Sequence, residues 1–344
     1  MSNKAAWLMS PKAHPLTIGD ASMPVAGQGE VIIRNHAIAI NPVNWAIQAL
    51  EVFPVSYPFI GGNDAAGEIV EVGPDVDAFK VGDRVLALAE GDGSREHEAN
   101  AAFQLFFSAK VNRIAKIPNH TSYAEAAVFP LGMATAASAL FQKDTHALPL
   151  PQVPPVPQTK TILVWGGSSS VGACAIQLLV GAGFEVAATA GAHNLEAMKD
   201  IGAKYVFDHK KQGVAEDIIN DLGGTDFIGV FCAILEAEII RLCGYIANKL
   251  GGNKFVSTVL PPTVLRQDGM PAGVETCNVW GTTLFENEVG PQVWGNWIYT
   301  ALANGSLKPA PPPLVVGKGL ESIQKACGRW RAGVSYQKVV VELD

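Results

Sequence analysis

The chain has 344 residues, 48% of them hydrophobic and 17% charged, and a formal net charge of −7. That length and balance describe two well-buried globular domains and exclude a disordered or fibrous protein. The acidic excess argues against nucleic acid as a partner, because phosphate contacts need a basic surface.

No uninterrupted apolar run reaches the ~20 residues of a membrane helix. The N-terminus lacks the apolar core and cleavage site of a signal peptide, so no membrane partner and a cytoplasmic location are expected. The five cysteines, at 174, 232, 243, 277 and 327, form no C-x-x-C pair. They read as reduced, mostly buried thiols, and their absence before residue 174 excludes a four-cysteine zinc site there.

In chain order, residues 1–45 show short strand-like runs at Lys4–Leu8, Glu30–Arg34 and Ala37–Ile40, punctuated by Pro24, Gly27 and Gly29. Asn41-Pro42-Val43-Asn44-Trp45 breaks the pattern, and a helix is expected to start at Ala46–Leu50. Tyr57–Gly67 leads into a strand at Glu68–Val72, and Gly73–Val85 holds turns and another strand. So many short strands and glycine turns predict a small β-barrel. From Ser122 two helical pieces follow, Tyr123–Ala127 and Gly132–Phe141, with Thr121 or Ser122 as an N-cap. Ala147–Pro157 carries five prolines and is expected to be an extended loop, exposed as an insertion.

The central stretch is Thr161–Gly191. Thr161–Trp165 is apolar or β-branched throughout, as in a strand buried on both faces of a parallel sheet. Gly166-Gly167-Ser168-Ser169-Ser170-Val171-Gly172 turns the chain into a helix with apolar positions at Val171, Cys174, Ala175, Leu178 and Leu179. Gly181 and Gly183 close it, and Phe184–Thr189 is a second strand. This is a βαβ unit whose Gly/Ser turn offers backbone N–H groups at a helix N-terminus, the physical requirement of a dinucleotide pyrophosphate. The glycine spacing departs from G-x-G-x-x-G, so a tight connection that binds nothing is the alternative.

An NAD site places an acid after the second strand, on the ribose 2′-hydroxyl. Here the chain reads Ala190-Gly191-Ala192-His193-Asn194, with no acid before Glu196. A short strand at Lys204–Phe207 then precedes Asp208-His209-Lys210-Lys211. His193, Asn194, His209 and Lys210 are therefore candidate contacts for a 2′-phosphate, which makes NADP(H) the expected cofactor; solvated loop lysines are the alternative.

Beyond this unit, helices at Gly213–Leu222, Ala233–Asn248 and Gln292–Leu302 alternate with strands at Phe227–Cys232, Lys254–Leu260 and Val279–Phe285. Leu314–Val316, helix Leu320–Trp330 and strand Lys338–Glu342 return to the barrel character. Of the histidines (14, 36, 97, 120, 146, 193 and 209), none has H-x-x-H or H-E-x-x-H spacing, and no G-x-S-x-G supports a hydrolase.

Taken in order, several stretches resemble the medium-chain dehydrogenase/reductase superfamily over essentially the whole chain. They are Asn41-Pro42-x-Asn44, Phe79-x-Val81-Gly82-Asp83-Arg84-Val85, Ala126–Leu131 with Thr135-Ala136, Gly166–Gly172, Leu302-x2-Gly305-x-Leu307-Lys308-Pro309 and Lys338–Val341. The resemblance implies an α/β protein: a GroES-like β-barrel from residues 1–121 and 306–344, and a Rossmann doubly wound parallel-sheet domain from 122–305. Zinc-dependent members carry Gly-His-Glu where this chain has Gly62-Asn63-Asp64. Without soft or imidazole ligands no metal is expected, and the chain resembles the zinc-free quinone oxidoreductase and fungal trans-acting enoyl reductase branch.

That branch implies hydride transfer from NADPH to an activated C=C of an enoyl thioester or enone, small or carrier-bound, in polyketide or other secondary metabolism. A polyketide synthase is a candidate partner, and the state a monomer or homodimer. Thr135 matches a family threonine near the nicotinamide; its hydroxyl bonds substrate or ribose, or serves helix packing. Tyr57 is a candidate phenolic proton donor or a barrel-rim packing residue. Asn44 is a candidate catalytic residue and Asn41 a cofactor contact, although Asn beside Pro also makes ordinary turns. Asp64, if buried, serves as an acceptor for backbone N–H groups. Many relatives carry a lysine where this chain has Ala46. Two alternatives follow: a quinone or small-enone oxidoreductase, and a redox-inactive NADP-binding homologue retooled for chemistry such as cyclisation.

Overall fold

The computed structural model describes residues 2–91, 98–259 and 269–343; His97 and the end of the strand expected at Lys254–Leu260 fall outside them. By its contacts the chain divides into one unit of residues 1–131 and 309–344 and another of 132–308. The first division falls at 131/132 rather than 121/122. The short helix near residue 123 packs on barrel strands, with Arg84 over the Tyr123 ring and Tyr123 stacked on His36.

Along the first unit run β1 (Asn3–Leu8), β2 (Thr17–Ala21), β3 (Glu30–Ala39), α1 (Pro42–Leu50), β4 (Phe59–Ile60), β5 (Gly62–Val72), β6 (Arg84–Gly91), β7 (Phe106–Lys110), β8 (Ile114–Lys116) and α2 (Tyr123–Ala126). α3 (Pro130–Phe141) follows. α1 starts at Pro42 rather than Ala46, because proline at the first helical position gives up only an N–H that has no intrahelical partner there. α2 opens with the expected Ser122 cap, completed reciprocally by Glu125.

The second unit holds β9 (Lys160–Trp165), α4 (Ser170–Gly181), β10 (Glu185–Ala190), α5 (Leu195–Asp200), β11 (Tyr205–Asp208), α6 (Val214–Leu222), β12 (Asp226–Cys232), α7 (Ala237–Leu250), β13 (Phe255–Thr258), β14 (Glu275–Asn278) and α8 (Ile298–Ala303). The tail adds β15 (Pro313–Lys318), α9 (Ser322–Arg331) and β16 (Lys338–Glu342).

In the first unit, a three-stranded sheet has the order β2-β1-β4. A larger sheet runs β15-β16-β3-β5-β6-β8, with β7 also on β3. The C-terminal β16 pairs antiparallel with β3, Val340 opposite Ala39, and so covers what would otherwise be an open edge. Ile33, Ile38, Val85, Phe107, Val339 and Val341 share one buried cluster with Ile323 of α9. Burial of each such side chain contributes about 1.5–3 kcal/mol.

The second unit's sheet has the order β11-β10-β9-β12-β13-β14, with every pairing parallel. Numbered from β9, this is 3-2-1-4-5-6, the doubly wound dinucleotide order, whose direction reverses at β9 and whose ligand sites lie at the carboxyl ends of the strands there. The β9 run is buried from Thr161 to Trp165, as a two-faced strand requires.

Two further expectations are corrected. The strand foreseen at Val279–Phe285 is instead β14, ending at Asn278, followed by a 3₁₀ turn at Thr283–Glu286. The Thr283 hydroxyl and the Asn287 amide both donate to Gln142 Oε1 of the segment after α3, and these side-chain bonds override β-branched propensity. The helix foreseen at Gln292–Leu302 begins as a π-helix, Pro291–Trp297, whose wide turn buries Val293, Trp294 and Trp297 before α8. The proline-rich segment is a loop without helix or strand, exposed over residues 152–157 as expected, and Gln152 N–H to Gly181 O and Gln158 N–H to Gly183 O join it to the end of α4.

Tyr123–Phe141, α2 and α3 taken together, is the one described stretch long and apolar enough to cross a membrane, and 83% of it is buried inside the protein, as in a core helix. The five cysteines are free thiols, buried except for the half-buried Cys277. Burial pushes the thiols of Cys277 and Cys327 up to about 12.

Candidate functional site

The β9–α4 turn is built by its own side chains. Gly166 has φ +87°, a conformation that favours glycine, and its N–H donates to Thr189 Oγ1 at 3.0 Å. Gly167 N–H reaches Thr189 O, and Ser169 caps α4 by accepting from Gly172 N–H at 3.0 Å. A Cβ on Gly172 would stand 2.2 Å from Gly166 O, so helix and turn pack in direct contact. Ser168, Ser169, Ser170 and Val171 stay half-buried at the mouth. The Val171 amide lies in the first helical turn, where geometry supplies no carbonyl. The turn therefore sits at the switch point with its half-buried residues 168–171 at the start of α4, the place where a doubly wound sheet holds a pyrophosphate.

At the β10 end, His193 approaches Gly191, with the His209 ring beside it, and His209 N–H donates to Ala190 O. His193, His209 and Lys210 are exposed, whereas Asn194 is buried. Lys211 is engaged with Asp217 at 2.6 Å, and Glu196, the nearest acid along the chain, with Lys199 at 2.7 Å. His193 and His209 thus lie close together and exposed, Lys210 follows in sequence and is exposed too, and Asn194 is buried.

Thr135 is half-buried on α3, among neighbours that are otherwise buried. Gly281 passes directly over it: a Cβ there would lie 2.6 Å from Thr135 Oγ1. Gly281 and the anchoring Gln142 were not foreseen. The only signal was a glycine between aromatic and β-branched residues, Trp280-Gly281-Thr282-Thr283.

Asn41, Asn44, Asn63 and Asp64 converge in the first unit, all buried. Asn41 N–H donates to Asn44 Oδ1 at 2.8 Å, and Asn44 Nδ2 donates to Asn63 Oδ1 at 2.9 Å. Asn41 Nδ2 donates to Asp64 Oδ2 at 2.8 Å, and Leu131 N–H to Asp64 Oδ1 at 2.6 Å. Asp64 does accept a backbone N–H, as expected for a buried acid. It also meets Lys338 Nζ at 2.8 Å, an ammonium only 4% exposed that reaches Asn41 Oδ1 at 2.6 Å. Lys338 was foreseen only as the head of a strand. Its signal was a lone charge opening the apolar run Val339-Val340-Val341.

This donor set does not fit a catalytic zinc ion. Asn63 spends its amide on Asn44 and on the Ala89 carbonyl, and a lysine ammonium occupies Asp64. Among the described residues no group of three or more His, Cys, Asp or Glu side chains gathers closely enough to hold a metal.

Tyr57 stays apart from that cluster. It is half-buried, and desolvation, with the nearby Glu51 carboxylate, raises its phenol above its ordinary value. The residues around it, Ser56, Pro58, Phe59 and Ile60, line a cleft of about 410 Å³ together with Met23, Pro24, Pro54, Glu90 and Gln104. Glu90 is neutralised by Arg113 at 2.9 Å.

Residues 27–139 match the Alcohol dehydrogenase GroES-like domain. The chain is 39% identical to the zinc-binding alcohol dehydrogenase domain-containing protein cipB of Emericella nidulans, over 100% of this chain and 99% of that protein. It is 38% identical to the trans-enoyl reductase himH of Aspergillus japonicus, over 99% of this chain and 98% of that one. In structure it is similar to an alcohol dehydrogenase superfamily protein from Novosphingobium aromaticivorans, with TM-score 0.82 and 24% identity, covering 99% of this chain and 100% of the other. The switch-point turn, the first unit's sheet carrying the C-terminal strand beside β3 and these full-length likenesses agree, and the chain belongs to the medium-chain dehydrogenase/reductase superfamily.

Proposed function

We propose that this protein is a zinc-independent, NADP(H)-dependent ene-reductase acting on the activated C=C of an enoyl thioester or enone, free or carrier-bound. The observation that carries the reading is the β9–α4 turn at the switch point, combined with histidine and lysine in place of an acid at the β10 end. The full-length likeness to a trans-enoyl reductase supports the substrate class, and the donor set at Asn63-Asp64 supports independence from zinc.

When bound, NADPH supplies a hydride, which goes to the β-carbon of the unsaturated carbonyl. The chain's residues do the rest. The start of α4 within Gly166–Gly172 would hold the pyrophosphate, with the Gly166, Gly167 and Gly172 amides shaping the turn through Thr189 and Ser169, and His193, His209 and Lys210 would face the 2′-phosphate. The Thr135 hydroxyl, which Gly281 passes closely, would donate a hydrogen bond to the substrate or the ribose. The developing enolate oxygen needs such donors rather than a metal. The enolate then takes a proton at its α-carbon from Thr135, Tyr57 or water. Asn41 and Asn44 have their side chains committed within the protein, so they position α1 rather than deliver protons.

Steady-state NADPH oxidation with an enoyl thioester, a free enone and a quinone, on the natural protein and on Ala46→Lys, tests this. Turnover of the thioester or enone by the natural protein is expected. Turnover of quinone alone would replace the proposal with a quinone oxidoreductase. Activity confined to Ala46→Lys would mean that the pocket has left reduction for other chemistry.

A further inference from the structure

α3 begins without a cap of its own. Phe129, the residue before it, offers no side-chain oxygen, and Pro130 has no N–H to give. The first amide that needs an acceptor is that of Leu131, and Asp64, from β5, supplies one at 2.6 Å. A carboxylate here also faces the positive end of the helix dipole. α3 then runs unbroken through Thr135 to Phe141.

The same carboxylate is joined to the start of α1. Its second oxygen takes the Asn41 amide, and Asn41 exchanges bonds with Asn44 at the first turn of α1. Asp64 is 0% exposed, and a carboxylate so buried needs a counter-charge. Lys338 provides it from β16, bonding both Asp64 Oδ2 and Asn41 Oδ1, so the Asn41 amide has one orientation, oxygen towards the ammonium and nitrogen towards the carboxylate. No other charged side chain bonds this carboxylate among the described residues.

We propose that Lys338 is a positioning residue for the reduction: through Asp64 it fixes the first turn of α3, and hence Thr135, and through Asn41 it fixes the first turn of α1. This rests on the ene-reductase reading for its effect on turnover, but its effect on α3 is independent of any substrate.

The test compares Lys338→Met, Asp64→Asn and the double variant Asp64→Asn/Lys338→Met with the natural protein. Two quantities are measured: kcat and KM with NADPH and an enoyl thioester, and amide hydrogen exchange across Leu131–Thr135 in the cofactor-free protein. Lys338→Met strands the carboxylate. It is expected to lower kcat about tenfold to a hundredfold while KM for NADPH moves less than about twofold. Exchange in the first turn of α3 is expected to accelerate. The double variant, which has no stranded charge and keeps an amide oxygen for Leu131 N–H, is expected to fold even if Lys338→Met does not, and to recover slower exchange and part of the lost kcat.

Unchanged exchange in every variant would overturn the proposal. So would a variant that loses thermal stability but keeps its kcat per folded molecule. If the natural protein turns over nothing, the ene-reductase reading fails, and the exchange measurement alone still decides whether Lys338 fixes α3.

Discussion

Two glycines and one histidine carry the sharpest consequences at the scale of single residues. Gly172 touches the Gly166 carbonyl so closely that any side chain must push turn and helix apart. Gly172→Ala is expected to weaken NADPH binding at least about tenfold, read by fluorescence titration, since the phosphate-facing amides lose alignment. Gly281→Ala forces a methyl group onto the Thr135 hydroxyl, and is expected to lower kcat more than it raises KM for NADPH. Equal loss in both would place Thr135 on the cofactor alone. His146 is buried against Phe255, with Nε2 bonded to Val230 O, and burial lowers its pKa to about 4. The unfolded chain takes up a proton near pH 6.5 while the folded one does not, so this residue's stability is fully present above about 6.5 and is lost as pH falls towards 4, by roughly 3 kcal/mol in all. His146→Gln should flatten that part of the dependence of the urea midpoint on pH; an unchanged slope would assign it to other groups.

At the scale of elements, legibility followed where the information lay. β9, α6, β12 and β16 were plain in the sequence because each is a continuous apolar or strongly amphipathic run whose burial is set locally. The segment after β14 was misread because its conformation is decided by partners far along the chain: Gln142, bonding Thr283 and Asn287, and Thr135, lying under Gly281. The polar cluster of the barrel was half visible. Asn41, Asn44 and Asp64 stand out beside proline and glycine, but Lys338 lies 297 positions from Asn41 and joins it only because β16 pairs with β3. Breaking such a buried pair from one side costs about 3–5 kcal/mol. Lys338→Met should therefore lower the thermal midpoint markedly more than Asp64→Asn/Lys338→Met.

For the whole molecule, fold and family could be anticipated because many weak signals occur in a fixed order over the full length, while each alone is ordinary. The parallel sheet positions the turn, and the barrel spends its Asn, Asp and Lys side chains on one another instead of on a metal. The proposed preference for NADP(H) rests on what is missing after β10, an acid, where the structure has the exposed His193 and His209. Chemistry at the substrate end was harder to read, since donors such as Thr135 and Tyr57 gain meaning only from what faces them.

The destination of the hydride separates an ene-reductase from its alternatives most directly. Protein freed of metal by a chelator is incubated with NADPH carrying deuterium in both C4 positions and an enoyl thioester, and the product is analysed by mass spectrometry and NMR. The prediction is a saturated thioester with one deuterium at the β-carbon, formed at an undiminished rate and faster from NADPH than from NADH. Absence of deuterium at that carbon, or turnover that returns only when zinc is added back, would contradict it.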